Sequence, residues 1–225
     1  LALKNFTLIT CFFVTLPLFG QDSVSVSKNF RFADGVFLSF QEFRQNAPAY
    51  RPEDVRIDFF TNPQTSLTQI DSICLPGTNR YLDPDSVWAV CIDGIPYLRV
   101  PENEINRELP TFAALKLRGK ICYFTYPDFR VKKIMVAAYN PLTGMPFRKG
   151  VVEREEEVVI EKMMHFESGE VLDFTVANFM RWIQDDLPLV KTIESLPPKE
   201  KQEKLFKCLL IYVDRNPVFV VNREE

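Results

Sequence analysis

The sequence predicts an α+β protein: an antiparallel β-sheet, arranged as a meander, a roll or a partly closed barrel, with two to three helices at its C-terminal end. Three observations predict it. Between Val55 and Phe174, apolar runs rich in Val, Ile, Phe and Tyr are joined mostly by short turn signals. After Phe174 the apolar period lengthens to that of a helix. No repeat, low-complexity tract or Pro/Ser-rich linker divides the chain beyond Asn29, and 225 residues suffice for one well-filled core.

The first element reads as an address. Lys4 precedes an apolar run, Phe6 to Phe19, interrupted only by threonines, Cys11 and Pro17. One positive charge followed by about fourteen mostly apolar residues fits a secretory signal peptide, and it is short of the roughly twenty needed to span a bilayer. Residues 1–20 are therefore expected to be removed after Gly20, leaving no stable membrane span; the competing reading is an uncleaved anchor or a buried core strand. Cys11 lies inside the apolar run, after Thr10, and does not fit a lipidation site. Residues 21–29 are Ser-rich and read as a flexible leader, and residues 30–225 as a single α+β domain. The implied location is periplasmic or extracellular.

The domain opens with the Asp34-Gly35 turn, a short strand over Val36 to Phe40, and about two helical turns. Ser39 is the expected N-cap and Glu42 its capping-box partner, and Ala47-Pro48 stops the helix. Val55 to Thr61 and Ser72 to Leu75 are strands. Val87 to Ile92 and Ile95 to Val100 flank Asp93-Gly94, the clearest hairpin, because a type I′ turn needs two residues that tolerate positive φ. Pro96 should lie on an edge or outside the ladder, having no N–H to donate. Phe112 to Leu117 and Lys120 to Tyr126 pair across Arg118-Gly119. Val131 to Tyr139 is a separate strand, Asn140 to Gly144 a loop, and Val151 to Phe166 pairs with Glu170 to Phe174. The total is about eight strands.

Val176, Phe179, Met180, Ile183 and Leu187 form one apolar stripe, a helix opened by Thr175 and interrupted by Pro188; a shorter stripe continues to Leu196. Pro197-Pro198 starts another helix at its first turn. Its front half, Lys199 to Lys204, is charged and solvated, and its back half, Leu205 to Val213, is expected to be buried. Val218 to Val221 is expected as a last strand on the sheet edge.

Composition excludes some functions. With 27 Lys+Arg against 30 Asp+Glu there is no basic excess to displace counterions, so no nucleic acid is expected as partner. Beyond the signal, Cys74, Cys91, Cys122 and Cys208 remain, an even number in an oxidising compartment. One disulfide, with Cys74–Cys91 as the first pairing to consider, competes with four buried thiols, which their apolar neighbours favour. No CxxC motif suggests zinc or redox chemistry.

Three segments together resemble a known group: Phe32 to Phe43 with its Asp34-Gly35 and Gln41-Glu42-Phe43, Val87 to Gly94 ending in Asp93-Gly94, and the tail of Asp185-Asp186-Leu187, Lys199 to Leu210 and Tyr212 to Pro217. In combination they resemble an uncharacterised family of exported, signal-peptide-bearing proteins of Gram-negative bacteria. Val213 stands where that tail has Asn. The resemblance implies secretion and no assigned activity, and it transfers no catalytic residue.

Candidate chemistry is sparse. His165, the one imidazole, lies among apolar neighbours on an expected strand, with no GxSxG elbow elsewhere, and reads as a structural or surface residue. Two carboxylates are the one catalytic apparatus the composition allows. Asp83 with Asp85 and Asp185 with Asp186 are the pairs to consider, and each reads first as a turn or cap. Asp83-x-Asp85 lacks the calcium-loop pattern. No phosphate loop occurs, so no cofactor is expected. Glu153 to Glu157 reads as a solvated strand edge, or less readily as a dock for a basic partner. Phe predominates among the aromatics, which favours core over a glycan-binding platform. No catalytic, cofactor-binding or metal residue is assigned. The expected role is a non-catalytic binding or envelope-associated protein whose partner is a protein or glycan of the cell envelope, the alternative being a periplasmic hydrolase using two carboxylates.

Overall fold

The computed structural model describes residues 23–27, 29–78, 80–105 and 107–221. The expected signal peptide, its cleavage point and Cys11 lie outside the described residues. In chain order the elements are β1 (Ser23–Val26), β2 (Gly35–Phe37), α1 (Phe40–Arg44), β3 (Arg56–Thr61), β4 (Leu67–Leu75), β5 (Arg80–Leu82), a 3-10 turn (Pro84–Ser86), β6 (Ala89–Ile92), β7 (Ile95–Arg99), β8 (Thr111–Leu117), β9 (Ile121–Tyr139), β10 (Pro146–His165), β11 (Val171–Asp173), α2 (Val176–Trp182), α3 (Leu187–Ser195), α4 (Pro198–Arg215) and β12 (Val218–Val221).

The main sheet runs β11-β10-β9-β8-β7-β6-β2, with β4 on β8 and β3 and β5 on either side of β4. Its ladders are antiparallel, and the sheet curls into a half-barrel. Local chemistry explains much of this. Ser39 caps α1 in a complete capping box with Glu42. Asp93 and Gly94 adopt φ of 54° and 71°, as a type I′ hairpin demands. Pro96 sits opposite Cys91 on β6, one residue beyond the stretch of β7 that β8 pairs with, so its missing N–H breaks no ladder.

Successive residues of β9 and β10 face opposite sides of the sheet. Ile121, Tyr123 and Met163 meet α2, α3 and α4 in one core with Phe179, Ile193, Leu209 and Tyr212. Cys122, Phe124, Tyr126 and Met164 enter a second core, where Phe32, Phe43 and Phe166 pack as a cluster of rings. Val36, Ile70, Ile73, Val90 and Phe112 form a third.

Several expectations are corrected. Lys120–Tyr126 and Val131–Tyr139 are one strand, β9, because Pro127 falls where its absent N–H points away from β10. Val218–Val221 does not join the main sheet edge; it pairs with β1, inside the segment expected to be a mobile leader. Val26, Val218 and Val220 of this pair are buried in the core that holds Phe32, Phe43 and Phe166, which outweighs the polarity of the surrounding serines. The helix expected through Leu187 ends at Trp182, and Pro188 lies in the first turn of α3 rather than interrupting a helix. The back half of α4 is not wholly buried, since Phe206 and Leu210 face outward. The four cysteines Cys74, Cys91, Cys122 and Cys208 are free and buried. Cys74 lies between β3 and β5 and Cys91 between β2 and β7, so the considered Cys74–Cys91 bridge does not form. Among the described residues no helix is long and apolar enough to cross a membrane.

Candidate functional site

Two features stand apart from the filled cores. The first is a groove at the base of the β9–β10 hairpin. Because even-numbered residues of β9 and β10 share a face, Phe124, Tyr126, Ile160 and Lys162 look the same way, and β11 adds Val171 and Asp173 beside them. The loop between β7 and β8 lays Asn103 and Glu104 over these strands. The result is two adjoining cavities of about 900 and 670 Å³ that share Asn103, Glu104, Tyr126 and Lys162. The larger has an apolar wall of Trp88, Leu98 and Phe124 and a charged rim of Arg99, Asp85 and Glu102.

Lys162 is the hub. Its Nζ lies 2.7 Å from Glu104 Oε2 and 2.9 Å from Asp173 Oδ1, and its side chain is only 12 % exposed. Tyr126 donates its hydroxyl hydrogen to Glu104. Burial works against the Lys162 charge, but the hydrogen bonds to Asp173 and Glu104 outweigh it, so its pKa rises. Burial and the carboxylate beside it push the Tyr126 phenol up as well. Arg99 likewise holds Asp85 and Glu102. The groove thus presents charges that already have partners next to apolar surface. Glu104 and Asp173 converge, but on a shared ammonium.

The carboxylates singled out from the sequence lie elsewhere or serve structure. Asp83 caps the 3-10 turn and Asp85 holds Arg99. Asp185 accepts from Lys120 Nζ at 2.6 Å and Tyr212 Oη at 2.8 Å. Burial raises the Asp185 pKa, yet these two donors outweigh it and hold the carboxyl below its usual value. Asp186 caps α3 and receives Arg215. The pair therefore ties the α2–α3 connection to the β8–β9 turn and to α4. His165 packs edge-on against Trp182, and its Nδ1 is buried with no hydrogen-bond partner among the described residues. Among the described residues no group of His, Cys, Asp or Glu is placed to hold a metal ion. Glu104, Tyr126, Lys162 and Asp173 had no sequence signal, since one loop and three strands bring them together.

The second feature is the hairpin itself. Beyond Pro127 and before Ile160, β9 and β10 pair only with each other, an arm of about 40 Å at the usual strand rise. Phe129, Val131, Met135, Tyr139, Val151, Val152 and Val159 are exposed along it, and Leu142 at its tip is 93 % exposed. The acidic run Glu153–Glu157 lies on β10 of this arm, where Glu156 meets Lys132 and Glu153 meets Lys133.

Comparison with family models, with curated proteins and with solved structures finds no match to this chain.

Proposed function

We propose that this protein is a non-catalytic binding protein of the cell envelope, exported through its N-terminal apolar segment, and that it receives part of a protein or glycan partner in the groove beside Lys162. The observation that supports this reading is the groove's make-up: ligand-sized cavities with an apolar wall of Trp88, Leu98 and Phe124, bordered by side chains whose charges are already matched. Such a site desolvates a ligand without leaving its own ions unpaired. A hydrolase would instead need one carboxyl free to hold a proton and another free to attack or to activate water. The convergence of Glu104 and Asp173 is what favours that second reading, and the ammonium between them opposes it.

The export reading rests on Phe6 to Phe19 and on the family resemblance, and N-terminal sequencing of the chain recovered from fractionated cells tests it. The binding reading is tested by titrating peptide and oligosaccharide libraries while following tryptophan fluorescence. A saturable signal is expected that survives in Trp182→Phe and is lost in Trp88→Phe, with affinity abolished by Val171→Arg at an exposed position of the groove. Turnover of chromogenic glycosides or esters that disappears in Glu104→Gln would instead establish the hydrolase.

A further inference from the structure

We infer that the β9–β10 arm is a homodimerisation device, in which the free edge of β10 pairs antiparallel with the same edge of a second copy around a two-fold axis at Val152. The hydrogen-bond phase identifies the edge. Phe166 N donates to Lys120 O on the β9 side, whereas His165 N donates to Glu170 O and Phe174 N to Glu161 O on the opposite side. Even-numbered residues of β10 therefore bond β9, and odd-numbered ones point outward. Between Lys149 and Val159 the outward groups meet no strand among the described residues.

The charge order along β10 is self-complementary. Arg148 and Lys149 precede Gly150-Val151-Val152, and Glu153, Arg154, Glu155, Glu156 and Glu157 follow, with the one base among them, Arg154, falling opposite Gly150 in a register centred on Val152. Antiparallel pairing about Val152 sets Arg148 against Glu156 and Lys149 against Glu155, each twice by symmetry. Arg148, Lys149 and Glu155 make no ion pair among the described residues, unlike Glu153 and Glu156, which the arm's own lysines already hold. This register also places Val151 and Glu153, both outward-facing, in a hydrogen-bonding pair. On the other face it builds one apolar row across four strands, Ile134, Val152 and their two copies, because Ile134 already opposes Val152. The equivalent edge of β9, Phe129 to Tyr139, carries Arg130, Lys132 and Lys133 and no acid, so self-pairing there gains no ion pair.

Two further points favour a second copy as the occupant. A two-stranded ribbon is marginal in water, and joining two of them gives the four strands that such a ribbon lacks. Antiparallel pairing also sends the two arms in opposite directions, so the bodies sit at opposite ends and do not collide. The free run Pro146–Ile160 is nearly centred on Val152, and the paired segments end before β11 begins to cover β10.

The test uses the full chain as exported. Sedimentation equilibrium from about 1 to 100 μM should give twice the chain mass, with Arg148→Glu/Lys149→Glu weakening association at least tenfold and added Glu155→Lys/Glu156→Lys restoring it. Val151→Pro removes an outward N–H only, so it should abolish the dimer and leave a chain that melts cooperatively at the monomer's temperature, independent of protein concentration. On mild oxidation Val152→Cys should form a covalent dimer quickly and Val136→Cys should not. A monomeric chain at 100 μM overturns the inference, as does a dimer indifferent to the charge changes, or cross-linking no faster through position 152 than through 136.

Discussion

Lys162 and His165 sit three residues apart on β10, on opposite faces, and each is half-buried with a different outcome. Lys162 exchanges water for Glu104 and Asp173, and Tyr126 completes the set. Replacing Lys162 by Met leaves two carboxylates facing each other without a cation and should cost about 1–3 kcal/mol in urea unfolding. Combined with Glu104→Gln the loss should be less than the sum of the two, since each change removes the other's partner. His165 lost solvent and gained no hydrogen-bond partner for Nδ1 among the described residues. Burial lowers its pKa, Lys120 adds to this, and the nearby Glu167, Glu170 and Asp185 pull the other way without prevailing. The unfolded chain therefore binds its proton more readily than the native one. Stability from neutral His165 is complete above about pH 6.5 and is lost as pH falls through the depressed native value. His165→Phe keeps the ring against Trp182 and removes the orphaned nitrogen. Its melting temperature should exceed the wild type's, by a margin that widens from pH 7 down to pH 4.5.

The helices depend on one close approach at the element scale. Gly119 adopts φ of +153° in the β8–β9 turn, and a Cβ there would come within 2.3 Å of Val213 Cγ1 on α4. Gly119→Ala should therefore destabilise the chain by about 1–3 kcal/mol. Adding Val213→Ala removes the offending methyl, leaves the next contact at an ordinary 3.5 Å, and should recover about half of the loss, the remainder being backbone strain. Such elements also show what the sequence could reveal. The α1 capping box, the Asp93-Gly94 hairpin and the proline start of α4 were legible because each is decided by a few adjacent residues. The break between α2 and α3 was not. The stripe of Val176, Phe179, Met180 and Ile183 continues in phase to Leu187, and it is Asp186 capping the following turn, together with Asp185 reaching Lys120 and Tyr212, that divides it. Those partners are distant in sequence, so periodicity alone reads straight through.

Among the described residues the molecule is a half-barrel body with a projecting limb, and the sequence legibly specified the body alone. The class of fold followed from turn-punctuated apolar runs, but the groove and the arm did not. The groove needs Glu104, Tyr126, Lys162 and Asp173 from four elements. Pro127, which normally ends a strand, here lies in the phase where β9 needs no donor, so the two halves of the arm looked separate. The cores explain why the limb can be long: among the described residues, none from Asp128 to Val159 belongs to any of them. The arm should accordingly be separable from the fold. Asp128 and Val158 are opposed in the hydrogen-bonding phase that flanks a two-residue turn, so Phe129–Glu157 can be replaced by Asn-Gly without altering the ladder below. The trimmed chain should melt within a few degrees of the intact one at low concentration. Pairing through β10 links association to folding, so the intact chain's melting temperature should climb with protein concentration while the trimmed chain's stays level. Calorimetry across a hundredfold range of concentration distinguishes the two. A trimmed chain that no longer folds would show that the limb belongs to the core after all.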